Sequence, residues 1–316
     1  MIQAREITLL RSARCLGVDR ALGDAAGALD AGGIDSMLIK GAATARLLYS
    51  DGAPRHYSDG DLLVRRADVE RAERVLAAQG FERAYDEDEC MAGEELHAHL
   101  WVRARDRAGI DLHWTLTGFG ATSDAVFDLL WDEAGREWIG GREMAVPSPG
   151  ATVVTAVLQL LAHGREHGAK RCRDVERALI RLDLAAWRDA ARIARELGGA
   201  PAFGAGLRLA TGGEEMAERL ALPDDPLART MAGQPTGVYA TRWFERVARA
   251  PGVRGKARLL LWLVFPPRAY LEFVNPRARR GGLRLALIYV LRPLRLLARA
   301  PRVLATWRRA HREAHG

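Results

Sequence analysis

With 316 residues, 48% of them apolar and 28% charged, the chain has the composition of a globular protein, large enough for one big domain or two ordinary ones. The start, MIQAREITLLRSARC, carries Arg5, Arg11 and Arg14 without a sustained apolar run, and no stretch reads as a membrane-spanning helix, so neither a secretory leader nor a spanning segment is expected. The net charge of +7 is unevenly placed: residues 254–316 hold 15 Lys/Arg against Glu272 and Glu313, or +13, which leaves −6 for the rest. Attraction to phosphate or anionic lipid therefore belongs to the tail. Cys15, Cys90 and Cys172 are widely spaced and form no CxxC, which fits reduced thiols in a cytoplasmic protein. Only three of the 47 basic residues are lysines, Lys40 among them.

The first 33 residues read as a helix stopped by Gly32-Gly33. SMLIK (36–40) reads as a short buried strand and GAATARLLYS (41–50) as a helix that starts on a glycine. DGAPRHYS (51–58) is a loop, GDLLVR (60–65) a second strand, and ADVERAERVLAAQG a helix ending at Gly80. FERAY (81–85), HAHLWVRA (97–104) and GIDLHWTL (109–116) read as further strands, the last two joined by a turn at 105–109. After Pro147-Ser148-Pro149 helical periodicity dominates. The expected fold is α+β: a mixed sheet with flanking helices over 1–148, a helical domain over 149–222, a connector over 223–256, and a basic amphipathic region over 257–316.

The chemistry concentrates in RHYSDGDLLV. Residues i and i+2 of a strand share a face, so Asp59 and Asp61 project from one edge, about 7 Å apart at Cα, a span one divalent ion can bridge. Asp111 in GIDLHW is the natural third carboxylate. Asp-Gly is equally a turn signal. A calcium loop starting at Asp59 fails, because Val64 stands where its glycine belongs and Leu63 where a ligand is needed. Upstream, Lys40-Gly41 joins a strand to a helix whose first turn has free amides, a phosphate-facing arrangement that is not a Walker A loop.

The combination of LIKGAATARLLY, APRHYSDGDLLV and GIDLHWTL resembles the uncharacterised nucleotidyltransferase-like proteins of the polymerase-beta-type fold, some of which are encoded beside lasso-peptide and other modified-peptide biosynthesis genes. The likeness is densest over 37–116 and continues through the helices of 160–194. It implies Asp59, Asp61 and Asp111 as ligands of Mg²⁺ (or Mn²⁺), with Asp111 also taking the acceptor proton. It implies Lys40, Gly41, Arg55 and Ser58 facing the phosphates of an NTP, ATP in the first instance. The implied reaction moves NMP to a hydroxyl, phosphate or carboxylate of an acceptor, a peptide or protein. Two departures bear on turnover. Gly60 stands where a β-branched residue is usual, which loosens the strand, and Gly41-Ala42 offers no hydroxyl. They motivate the alternative of a catalytically decayed adaptor that binds a peptide or partner.

His97, His99 and His113 would form a zinc cluster if their strands pair; His113 shares a face with Asp111, whereas His97 and His99 are expected on an exposed face. His163, Glu166 and His167 match HxxEH, a zinc-hydrolase signature interrupted by Gly164. In LRPLRLLARAPR, Arg292, Arg295, Arg299 and Arg302 line one cationic stripe beside Leu294, Leu296, Leu297 and Val303. Such a helix suits an anionic membrane surface, an acidic partner or, least, nucleic acid. The favoured expectation packs its leucines on the protein body, with Pro293 and Pro301 breaking the helix.

Overall fold

The computed structural model describes residues 2–84, 97–233, 247, 250, 252–275, 278 and 281–315. Tyr85, Cys90 and much of the 223–256 stretch lie outside the described residues. Two compact units are present: one comprises residues 1–84, 97–159 and 170–224, the other residues 85–96, 160–169 and 225–316.

The first unit opens with helix α1 (Ile2–Ala31). Its buried residues Val18, Ala21, Leu22, Ala25 and Leu29 recur at helical spacing and supply the face that packs on the sheet. Gly33 takes a left-handed conformation (φ 64°), and the Ile34 amide donates to the Leu29 carbonyl at 2.9 Å, closing the helix as the Gly-Gly pair predicted. β1 (Ser36–Leu38), α2 (Ala42–Leu48) and β2 (Asp59–Val64) follow. A single 3₁₀ turn leads into α3 (Val69–Ala78), and then come β3 (Phe81–Arg83), β4 (Ala98–Arg103) and β5 (Gly109–His113). The turn between β4 and β5 closes with the Arg103 amide on the Ala108 carbonyl at 2.9 Å.

The sequence reading assigned nothing between 117 and 147; there the chain forms α4 (Ser123–Asp132) and a hairpin of β6 (Gly135–Ile139) and β7 (Arg142–Val146). The described strands make one seven-stranded sheet in the order β3-β4-β5-β2-β1-β7-β6. β2 runs parallel to β5 and antiparallel to β1, so the sheet is mixed, as expected. Its centre is apolar: Leu38, Leu62, Leu63, Ile110 and Leu112 are fully buried. Gly60 lies against Leu22 of α1, on the face opposite Asp59 and Asp61. Arg103, buried on that same helix-covered side, is held by Asp24 of α1 and by Asp106.

Helices complete the unit: α5 (Pro149–His167), which runs on beyond it, α6 (Ala169–Arg181), α7 (Leu184–Glu196), α8 (Ala200–Leu207) and α9 (Gly213–Arg219). α5 is broken at Gly164 (φ 68°, ψ 172°). The break falls inside HxxEH, so His163 and His167 do not share one regular helical turn, and the zinc-hydrolase spacing fails. The side chains of residues 165–167 lie outside the described ones.

The second unit holds α10 (Pro226–Gly233), α11 (Gly252–Val264), α12 (Arg268–Val274) and α13 (Gly282–His315). α13 continues through Pro293 and Pro301, contrary to the expected breaks. Each proline removes one amide donor, and its fixed φ is compatible with the helix. Among the described residues no helix is long and apolar enough to cross a membrane.

Candidate metal and nucleotide centre

β2 and β5 pair with Asp61 directly beside Asp111, Asp59 beside Gly109 and Leu63 beside His113. Strand alternation puts Asp59, Asp61, Asp111 and His113 on one face. Ligand atoms of Asp61, Asp111 and His113 all lie within 4.8 Å of one another. Of the three expected carboxylates, Asp61 and Asp111 fall in this cluster, and His113 takes the place expected for Asp59. Asp59 stands one step earlier on the same face, half-buried, and accepts from the Ser58 hydroxyl at 3.4 Å.

Lys40 enters from the end of β1. Its Nζ donates to Asp61 Oδ1 at 3.0 Å and lies 3.3 Å from His113 Nε2, which is itself 3.1 Å from the same carboxylate oxygen. Burial by itself would raise the Asp61 pKa, but the Lys40 charge and the His113 contact outweigh it and hold the carboxyl well below its usual range. Burial pushes the His113 imidazole down to about 4, with Lys40 acting in the same direction, so at neutral pH it is the uncharged, metal-competent form. Among the described residues, His113 Nδ1 is buried without a hydrogen-bond partner. His97 lies beside this group, its ring 5.6 Å from that of His113, and burial and Lys40 lower its pKa as well. Neither His97 nor His99 is on an exposed face. His99 is buried against Glu73 of α3 and the Trp114 ring, because its register partner Leu112 faces the helix-covered side.

Gly41 sits at φ 55°, ψ −108°, a region open to glycine alone, and caps α2. Arg55 is turned onto this turn and not outward. Its Nη1 donates to the Gly41 carbonyl at 2.6 Å, and its Nε and Nη2 grip both oxygens of Asp174 at 2.9 and 2.8 Å. Tyr49 adds a hydroxyl bond to Asp174 at 2.7 Å. The guanidinium expected on phosphate is therefore already committed to a buried carboxylate of α6, and its reach to the site is through the Gly41 backbone. Lys170, one turn before Asp174 on the same helix, is a basic residue the sequence reading passed over; burial and Arg55 lower its pKa, and the charges of Asp174 and Asp59 oppose this.

Two carboxylates and one uncharged imidazole make a donor set that suits a divalent cation. The adjacent parallel strands β2 and β5 of the mixed sheet thus present Asp61 and Asp111 at one level, beside the Lys40-Gly41 turn. The chain belongs to a family described as uncharacterised nucleotidyltransferases, whose model matches residues 4–212. No curated protein sequence matches it. Among solved structures it is similar to the antibiotic-resistance factor ANT(2'')-Ia, at 13% identity and a TM-score of 0.38 over 56% of this chain and 91% of that one. It is also similar to an antigenic nucleotidyltransferase-like protein from Paracoccidioides brasiliensis, at 19% identity and a TM-score of 0.36 over 63% of this chain and 94% of that one.

Proposed function

We propose that the first unit is a metal-dependent nucleotidyltransferase that moves NMP from an NTP, ATP in the first instance, to an acceptor oxygen on a peptide or protein. The observation that carries this reading is the pairing of Asp61 with Asp111 in register, with His113 and Lys40 in hydrogen-bond reach of Asp61. Asp61, Asp111 and His113, with Asp59 at the strand entrance, would hold the ion, which supplies charge neutralisation at the α-phosphoryl group. Lys40 is the mobile cation of the site: once the carboxylate it now balances is otherwise neutralised, its ammonium is free for a phosphate oxygen. Arg55 keeps the Gly41 turn open to the triphosphate by holding its carbonyl away from it. Asp111 takes the proton as the acceptor oxygen bonds to the α-phosphorus and the bond to the bridging oxygen breaks, releasing pyrophosphate.

The Asp59→Asn, Asp61→Asn double variant tests this. It should fold as the parent does by circular dichroism yet lose metal-dependent NTP binding and transfer of label from an α-labelled NTP. Transfer at the parent level in that variant sinks the assignment.

One observation supports a second reading. Asp61 is already balanced by Lys40 and contacted by His113, a closed arrangement that needs no ion. A decayed centre serving as a peptide-binding adaptor would look the same. Calorimetric titration with ATP separates the two: heat that appears only with Mg²⁺ or Mn²⁺ belongs to the enzyme, and its absence to the adaptor.

A further inference from the structure

Along α13, Leu283, Leu287, Val290, Leu294 and Leu297 recur at intervals of four, three, four and three, which puts them on one helix face over about 21 Å. All five are open to solvent, at 86%, 54%, 64%, 59% and 68% exposure. The opposite face is the anchored one. The Tyr289 hydroxyl donates to the Pro266 carbonyl at 2.8 Å, Arg292 Nε donates to the Leu263 carbonyl at 2.9 Å, and Val303 is buried. Leu294 and Leu297 therefore lie on the exposed face of α13 and not on its anchored one, contrary to the sequence expectation, and Arg292 leaves the cationic stripe.

Along one flank of the leucines run Arg284, Arg295, Arg302 and Arg309, all exposed and set about 100° around the helix from the apolar line. A contiguous exposed apolar line rimmed by charge marks a surface that binds something. A second copy of the chain is a poor occupant, because it brings its own +13 from residues 254–316. Nucleic acid answers the arginines but has no use for a Leu/Val stripe that lacks aromatic rings. An anionic lipid surface answers both at once, since the acyl boundary takes the leucines and the headgroups take the arginines.

We propose that α13 lies in the plane of an anionic membrane, its Leu283–Leu297 face buried at the acyl boundary and its arginine flank on the headgroups. This surface belongs to the second unit and does not depend on the nucleotidyltransferase reading. The test is co-sedimentation of the full chain with phosphatidylcholine vesicles, with and without phosphatidylglycerol. Binding is expected to the anionic vesicles, to fall with salt, and to be at least about tenfold weaker to the neutral ones. Arg295→Gln, Arg302→Gln, Arg309→Gln together should weaken anionic binding by about a hundredfold, and Leu287→Ser with Leu294→Ser by about tenfold or more. These side chains are exposed, so the variants keep the parent fold, which circular dichroism checks. Equal binding to both vesicles, no binding to either, retention by RNA or an acidic protein without vesicle binding, or a serine variant that binds like the parent would each overturn the proposal.

Discussion

At Gly60 a methyl group would have to share space with Leu22, whose Cδ2 would lie 2.4 Å from an added Cβ. Leu22 is fully buried on the face of α1 that covers β2, so it has nowhere to go. The glycine is thus the price of close helix-on-sheet packing directly behind Asp59 and Asp61, and not a softening of the strand that carries them. Gly60→Ala should cost about 1–3 kcal/mol by overpacking, even though alanine is the better strand former. Urea denaturation reads this as a lower midpoint with an unchanged slope. Pairing it with Leu22→Ala should return part of the loss; a single variant as stable as the parent would show that α1 yields at this point.

The loop of residues 51–58 and helix α6 meet through Arg55 and Asp174, whose side chains are 7% and 4% exposed. Two charges this deep are sustained only by each other and by their hydrogen bonds, here Tyr49 on one side and the Gly41 carbonyl on the other. Asp174→Ala leaves the guanidinium buried without its partner and should destabilise by about 3–5 kcal/mol. It should also loosen the Gly41 turn, so that in Asp174→Asn, which keeps the shape, the KM for NTP rises more than kcat falls. A proportional loss in both would make the pair structural only. This coupling shows where sequence reading ends. Asp61, Asp111 and His113 were alignable because strand residues alternate and GIDLHW places its polar pair two apart. The partner of Arg55 was not, because it lies 119 residues away with no local pattern to announce it. The β6–β7 hairpin was passed over for a different reason. Four of the five β6 residues are exposed, so no apolar alternation marks the strand. Its one signal is Gly140-Gly141, both at positive φ (62° and 83°), the pair that a tight two-residue hairpin requires. The α13 prolines and leucines went astray because propensity and amphipathicity predict a helix with a buried face, not which face is the buried one.

At the scale of the molecule, charge and compactness divide the chain in similar ways. Residues 254–316 hold +13 and lie within the second unit, while the acidic remainder includes the whole of the first. Each compact unit is expected to unfold as a cooperative body, so calorimetry should resolve two transitions or a calorimetric enthalpy well above the van't Hoff value. The variants above then act as labels. Gly60→Ala should lower the transition of the first unit and leave the other in place, because Leu22 and β2 belong to the first alone. Anionic vesicles should do the converse, raising the second unit's transition through mass action on the folded α13 surface. A single transition with matching enthalpies would mean that the two units fold as one, and Gly60→Ala would then carry the whole chain down with it.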